Sequence, residues 1–306
     1  MTEESEVVET KEEISINILV PSGSTAMALA HFVSELPSLG EGVECVVEPY
    51  VQGSDPLSAA FTSETANVIV APTNLGATLY QKDVPYQLAA TLVWGNLYLV
   101  SHEALTLEDL SGKTITAFGQ GSTPDIVLQT ILKEKGLLDS VEIEYLNSVA
   151  DVQSMFAAGE SDVAVIAEPS LTVLKTKVDN VHMVADFQHE WGSLYDVTSY
   201  PQASLFVHKN LIENHPEVVE SLLSQVKLSV NFANESPEQM AVEAIETGLE
   251  MPEAVIVNST PNSNLIFKTA AEAKDEIHLY LEKLYNFEPK TVGGTLPDDD
   301  FYYVNY

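Results

Sequence analysis

The chain has 306 residues, 45% of them apolar and 19% charged, enough for one large soluble domain or two modest ones. Its 13 basic residues are all lysine, they face 46 acids, and the formal net charge is -33; a surface of that sign repels nucleic-acid phosphates and anionic lipid and favours solubility. Cys45 is the only cysteine, which excludes an internal disulfide and a multi-cysteine metal site, and its strand-like surroundings predict a buried structural thiol.

Residues 1–13 (MTEESEVVETKEE) are acidic and lack aromatics. That composition predicts a disordered tether, read as what remains after an upstream targeting segment is removed. No stretch of the chain reaches the roughly 20 apolar residues of a membrane span. The run ISINILV (14–20) predicts a buried strand, and AMALAHFVSEL (26–36) a helix that Ser24 or Thr25 could cap. A strand over VECVVEPYV (43–51), a short helix in GSDPLSAAFTSE, a strand NVIVAP (67–72) and a helix starting in TNLGATLYQ (73–81) follow. Such alternation predicts a mostly parallel, doubly wound sheet.

The long apolar run 87–103 breaks the rhythm, with Trp94, Gly95 and Asn96 at its centre. It reads as one strand crossing between two lobes; the alternative is two strands with a turn at Gly95-Asn96. A second unit follows: a strand in 105–118, a Gly-rich loop and helix in 119–137 closed by Gly136, a strand 141–146, a helix 148–160, a strand 161–169 and a further strand at 182–187. The run SLFVHK (204–209) reads as a return strand, and 210–235, 237–249 and 262–285 as helices, with Pro216 in an early helical turn. The expected lobes are therefore 14–97 with 204–306, and 98–203.

In open α/β sheets, ligands gather beyond the C-terminal ends of strands. Four strand-to-helix loops are selected on that rule: Ser22, Gly23, Ser24 and Thr25; Thr73 and Asn74; Gln120, Gly121, Ser122 and Thr123; and Glu168 with Pro169. Glycines let a backbone approach a ligand, and helix N-termini offer free N–H groups to a polar or anionic group. No lysine-hydroxyl pair follows the Gly119–Thr123 loop, so it is not a phosphate-binding P-loop. Glu168 is expected either to accept from an amino or ring N–H group or to be a solvated loop acid. Trp94, Asn96, Trp191, Tyr195 and Tyr200 flank the predicted crossings and are candidate cleft walls, with core packing as the alternative. The seven histidines form no HExxH motif, and Asp298, Asp299 and Asp300 lack calcium-loop spacing. No nucleophile elbow or defensible carboxylate pair points to catalysis.

Three segments carry a family resemblance: DLSGKTITAFGQGSTPDIVLQTILKEKGL, SVADVQSMFAAGESDVAVIAEPS and ASLFVHKNLIENHPEVVESLL. In order and spacing they resemble the substrate-binding proteins of ABC importers for nitrate, sulfonates, taurine and thiamine-precursor pyrimidines. The resemblance covers most of 14–250. It implies the type II periplasmic-binding fold: two lobes, each a mostly parallel sheet flanked by helices, joined by two crossing strands. It further implies a monomer that binds a small ligand without chemistry or cofactor, delivers it to a permease, and stands outside the cell on a lipid tether or in a periplasm. Planar capture of an anion is arginine's specialty. The lack of arginine therefore favours a neutral or amino-bearing heteroaromatic, such as a thiamine-precursor pyrimidine, over a sulfonate or nitrate-like anion. A related enzyme that makes the thiamine pyrimidine is the other alternative; its relatives carry a cysteine-rich motif, which is absent here.

Overall fold

The structure is a computed structural model, describing residues 14–48, 50, 51, 53 and 55–304. The tether expected over 1–13 lies outside the described residues. The first part of the chain alternates β1 (Ile14–Leu19), α1 (Ser24–Glu35), β2 (Val43–Val47), α2 (Asp55–Ser63), β3 (Val68–Pro72), α3 (Thr73–Tyr80) and β4 (Tyr86–Trp94). The middle part holds β5 (Leu97–Ser101), β6 (Thr114–Phe118), α4 (Thr123–Glu134), β7 (Glu142–Leu146), α5 (Val149–Ala157), β8 (Val163–Ala167), α6 (Ser170–Lys177), β9 (His182–Asp186) and α7 (Phe187–Tyr195). The last third is β10 (Pro201–His208), α8 (Lys209–Asn214), α9 (Pro216–Glu235), α10 (Pro237–Glu246), α11 (Glu253–Ser259), β11 (Leu265–Thr269) and α12 (Ala270–Phe287).

These strands form two sheets, ordered β11-β4-β10-β3-β1-β2 and β7-β6-β8-β5-β9. In each, three strands pair in parallel: β3, β1 and β2 in the first, β8, β6 and β7 in the second. The strands next to the crossings run against them: β10 is antiparallel to β3 and β4, and β5 to β8 and β9. Helices cover both faces, so central strands such as β5 (LYLVS) are buried along their whole length. This is the two-lobed α/β architecture expected.

The 87–103 run does pass between the sheets, but as two strands separated at Gly95-Asn96. The return falls between Tyr195 and Pro201, three residues before the strand expected at 204. One buried apolar cluster continues through the junction, from Phe61 and Leu88 past Trp191, Tyr200 and Tyr280 to Ile115 and Val165.

Several local expectations change. No side chain caps α1; Gly23 holds the N-cap position at φ 91°, and Thr25 Oγ1 instead donates to the Pro21 carbonyl at 2.6 Å. Cys45 is half-buried rather than buried, because β2 is an edge strand; burial still raises its thiol pKa. Part of the helix expected over 262–285 is strand β11, and α12 starts only after the capping box of Thr269 and Glu272. Helices α6, α7 and α11 add to the elements expected.

Helix α3 lies tight on β10 because Gly76 has no side chain. A Cβ there would stand 2.0 Å from Cζ of Phe206, a ring itself packed between Phe61 and Phe301. Gly76→Ala should therefore cost about 1–3 kcal/mol of stability, read as a lowered urea midpoint at unchanged slope; an unshifted midpoint would contradict this packing.

Candidate functional site

The two lobes face each other across a cavity of about 560 Å³. Four loops at the C-terminal ends of β1, β3, β6 and β8 point to this region, and they meet in two pairs. In the first pair, the loop after β1 meets the loop after β8. Asn96 Nδ2 donates to Ser24 Oγ and to the Glu168 carbonyl, both at 3.2 Å, and Glu168 N donates to the Asn96 carbonyl at 3.0 Å. In the second pair, Thr123 Oγ1 donates to Asn74 Oδ1 at 3.2 Å and shares a 2.7 Å hydrogen bond with the buried hydroxyl of Tyr280.

The first pair walls the cavity. Ser22, Gly23, Ser24, Thr25, Asn96 and Glu168 line it, and so does Pro169. The second pair is closed by direct contact: Thr73, Asn74, Gln120, Gly121, Ser122 and Thr123 do not line the cavity, which this side reaches only through the strand-end residues Pro72 and Phe118. Thr73 is fully buried and hydrogen-bonded to Ser204 at 2.8 Å; Asn74 Nδ2 donates to the Thr291 carbonyl at 3.4 Å. Gln120 and Gly121 are exposed, and Ser122 donates to the Gly119 carbonyl within its own turn.

The flanking aromatics also stand away from the cavity. Trp94 is buried, donates Nε1 to the Ile266 carbonyl and lies under Lys268, 4.4 Å from the ring centre. Trp191 and Tyr200 are buried and pack edge to face at 5.5 Å, and Tyr200 stacks on Tyr280 at 6.1 Å. Tyr195 is half-buried at the edge of this cluster, its phenol pushed up to about 12 by burial and the Glu134 charge. The cluster forms part of the shared core behind the cleft.

Other lining residues carried no sequence motif. Phe118, Gln202, Glu250 and Met251 all border the cavity. Phe118 ends β6 and falls inside the strand-end rule; Gln202 lies at the start of β10 and reaches the same edge because β10 runs antiparallel to β3, while Glu250 and Met251 come from the link between α10 and α11, which tertiary packing brings here.

The electrostatics of the lining are one-sided. It contains Glu168 and Glu250 and, among the described residues, no lysine or histidine. Helices α1, α5 and α6 all begin at the cavity. Ser148 caps α5, and the Glu168 carboxylate accepts from Thr172 N and Thr172 Oγ1 in the first turn of α6, each at 3.0 Å. Helix α1 has no side-chain cap at its N-terminus, and neither has α3, whose N-cap Pro72 also lines the cavity; α1, which contributes Ser24 and Thr25 to the lining, brings the partial positive end of its dipole there. Asn96 is 5% exposed, and its Oδ1 has no hydrogen-bond partner. Its amide orientation is fixed, because Nδ2 must face the Glu168 carbonyl, which can only accept. Gln202 Oε1 is likewise buried and unpartnered.

Glu168 is 3% exposed. Burial raises its pKa above the ordinary value of 4.5, outweighing the Thr172 hydrogen bonds, Lys175 and Asn262, which all pull it down. It is thus neither a solvated loop acid nor a free carboxylate, because both oxygens are engaged on α6.

A cleft between two α/β lobes, walled by strand-to-helix loops from each, defines a substrate-binding protein of the two-lobed periplasmic-binding fold. Residues 41–240 match the family described as NMT1/THI5 like. That is well over half of the chain, and the chain belongs to this family. No curated protein matches it. Among solved structures, an ABC transporter from Parabacteroides distasonis is 25% identical, with a TM-score of 0.83 over 96% of this chain and 99% of that one. The periplasmic aliphatic sulphonate binding protein SsuA from Escherichia coli is 17% identical, with a TM-score of 0.72 over 97% and 96% of the two chains. A putative nitrate transport protein from Thermoplasma volcanium, 12% identical over 92% and 95%, has a TM-score of 0.56. The last two share the fold.

A raised carboxyl pKa means that folding favours the protonated form. Its stabilising share is fully present below about pH 4.5 and is lost as pH rises through the folded-state value. Measured against Glu168→Gln, the parent should gain relative stability as the solution is acidified toward pH 4.5; a constant difference across pH 4–8 would refute the assignment.

Proposed function

We propose that this protein is the solute-binding component of an ABC importer, and that its ligand is a small neutral or amino-bearing heteroaromatic, such as a thiamine-precursor pyrimidine. The observation that carries the ligand class is a cavity lining that holds Glu168, Glu250 and the residues Asn96 and Gln202 and, among the described residues, no cationic side chain. A lining of carboxylates and amides without a cation suits ligand N–H groups and leaves an anion uncompensated. The uncapped α1 N-terminus suits one acceptor on the ligand, such as a ring nitrogen. Phe118 and Met251 supply apolar surface, and 560 Å³ is within the range of small-ligand pockets.

The family and the ABC transporter from Parabacteroides distasonis support the importer role. A permease partner, a monomeric state and a position outside the cell on a lipid tether or in a periplasm belong to the same reading. Among the described residues, no helix is long and apolar enough to cross a membrane. The lobes are proposed to be 14–97 with the C-terminal third, and the segment between, with the return boundary at the start of β10. They close about Gly95-Asn96 and the 195–201 link.

A second ligand reading has one observation in its favour. The free α1 N-terminus also suits a small sulfonate, the class bound by the E. coli neighbour.

A thermal-shift panel separates the two. Aminopyrimidines should raise the melting temperature in a concentration-dependent way, and Gln202→Ala should weaken that binding about tenfold while leaving the unliganded melting temperature near the parent's. Stabilisation by alkanesulfonates and not by aminopyrimidines would overturn the ligand class. Turnover of the bound compound would overturn the transport role.

A further inference from the structure

Away from the cleft, two helices of the first lobe bring three metal-ligating side chains together. His31 and Glu35 stand one helical turn apart on α1, and Glu243 comes from α10, which packs across it. One donor atom from each of the three lies within 4.8 Å of the others. His31 Nδ1 is 3.0 Å and 3.2 Å from the two oxygens of Glu243. The imidazole is stacked on Phe232, with ring centres 4.0 Å apart and planes 21° from parallel, so its orientation is held by packing.

We propose that His31, Glu35 and Glu243 form a binding site for a divalent transition-metal ion of the Zn²⁺, Co²⁺ or Ni²⁺ class. An imidazole with carboxylates is a donor set for such ions, whereas Mg²⁺ and Ca²⁺ prefer oxygen alone. With ligand bonds of about 2.0–2.2 Å, neighbouring donors around tetrahedral zinc stand about 3.3 Å apart. The His31–Glu243 pair already has that spacing. Glu35 is exposed, and one of its carboxylate oxygens stands within 4.8 Å of the other two donors. An imidazole–carboxylate hydrogen bond accounts for Glu243 but leaves Glu35 as a second carboxylate drawn to the same point. Among the described residues, no lysine forms an ion pair with either glutamate. The ion would neutralise both charges, and a net charge of -33 enriches cations at the surface.

The site also has a mechanical consequence. The first turn of α1 lines the ligand cavity, and the link after α10 supplies Glu250 and Met251 to its wall. A bound ion would tie together the two helices whose ends border the cavity, about 10 Å of helix away on the α1 side.

The test uses the full chain, stripped with a chelator and titrated with Co²⁺ under visible absorption, then with Zn²⁺ by calorimetry. The parent should bind one ion with histidine-containing ligand-field bands. Glu35→Gln, an exposed substitution, and Glu243→Gln should each weaken binding at least about tenfold while melting like the parent without metal. Zn²⁺ should raise the melting temperature of the parent and not of Glu35→Gln. Equal affinity and stoichiometry in the parent and the Glu35→Gln/Glu243→Gln double variant would overturn the site, because the ion would then be held elsewhere on the acidic chain. Absence of any saturable Co²⁺ or Zn²⁺ binding would overturn it equally. Neither result bears on the ligand of the cleft.

Discussion

The geometry of the cleft depends on the two residues that carry the chain from one sheet to the other. Gly95 N donates to the Tyr200 carbonyl at 2.9 Å and the Ser199 hydroxyl at 3.1 Å, while Asn264 donates to the Gly95 carbonyl. The outgoing and returning crossings are therefore hydrogen-bonded side by side. No side chain fits at Gly95: a Cβ would stand 2.5 Å from Cζ of Tyr200. The next residue, Asn96, bonds a loop from each lobe through one amide nitrogen and belongs to the cavity lining. On the reading proposed here, closure and ligand contact share this residue, and a ligand that engages it shifts the lobe equilibrium only by its preference for the closed form.

The pairing of loops across the cleft determines where the cavity lies. Both pairs join a loop of the first lobe to one of the second, yet only the Ser24–Glu168 side leaves space. On the other side, Tyr280 from α12 bonds Thr123 at the start of α4. Behind it, Trp191 and Tyr200 make the lobes share one core. That back wall keeps water from the junction and leaves the front pair as the side with room for a solute.

Much of this was legible in the sequence. Short apolar runs such as VIVAP and LYLVS mark strands buried on both faces, and the strand-end rule selects the four loops that meet at the junction. Which pair encloses the cavity was not legible, because the deciding residue, Tyr280, is 157 positions from Thr123. Trp94, Trp191 and Tyr200 illustrate a second limit: an aromatic inside an apolar run looks the same whether it faces a cleft or a core. Glu250 and Met251 lie in a link with no motif, and only the packing of α10 on α1 sets its position. For β11 a local signal did exist. Thr269 and Glu272 form a capping box, which marks where α12 starts and leaves Leu265–Thr269 outside the helix.

The lining charge bears on how such a protein selects its solute. A fully charged anion closed into this cavity would lose water and gain at most the partial positive end of α1, equivalent to roughly half a unit charge. Glu250 and, when ionised, Glu168 would oppose it. On the reading proposed here, a ligand that carries N–H donors and one neutral acceptor meets none of that opposition, because its donors face carboxylates and its acceptor the α1 N–H groups; selectivity then comes from a lining without cations, and the absence of arginine is part of the recognition rather than a defect in an anion site.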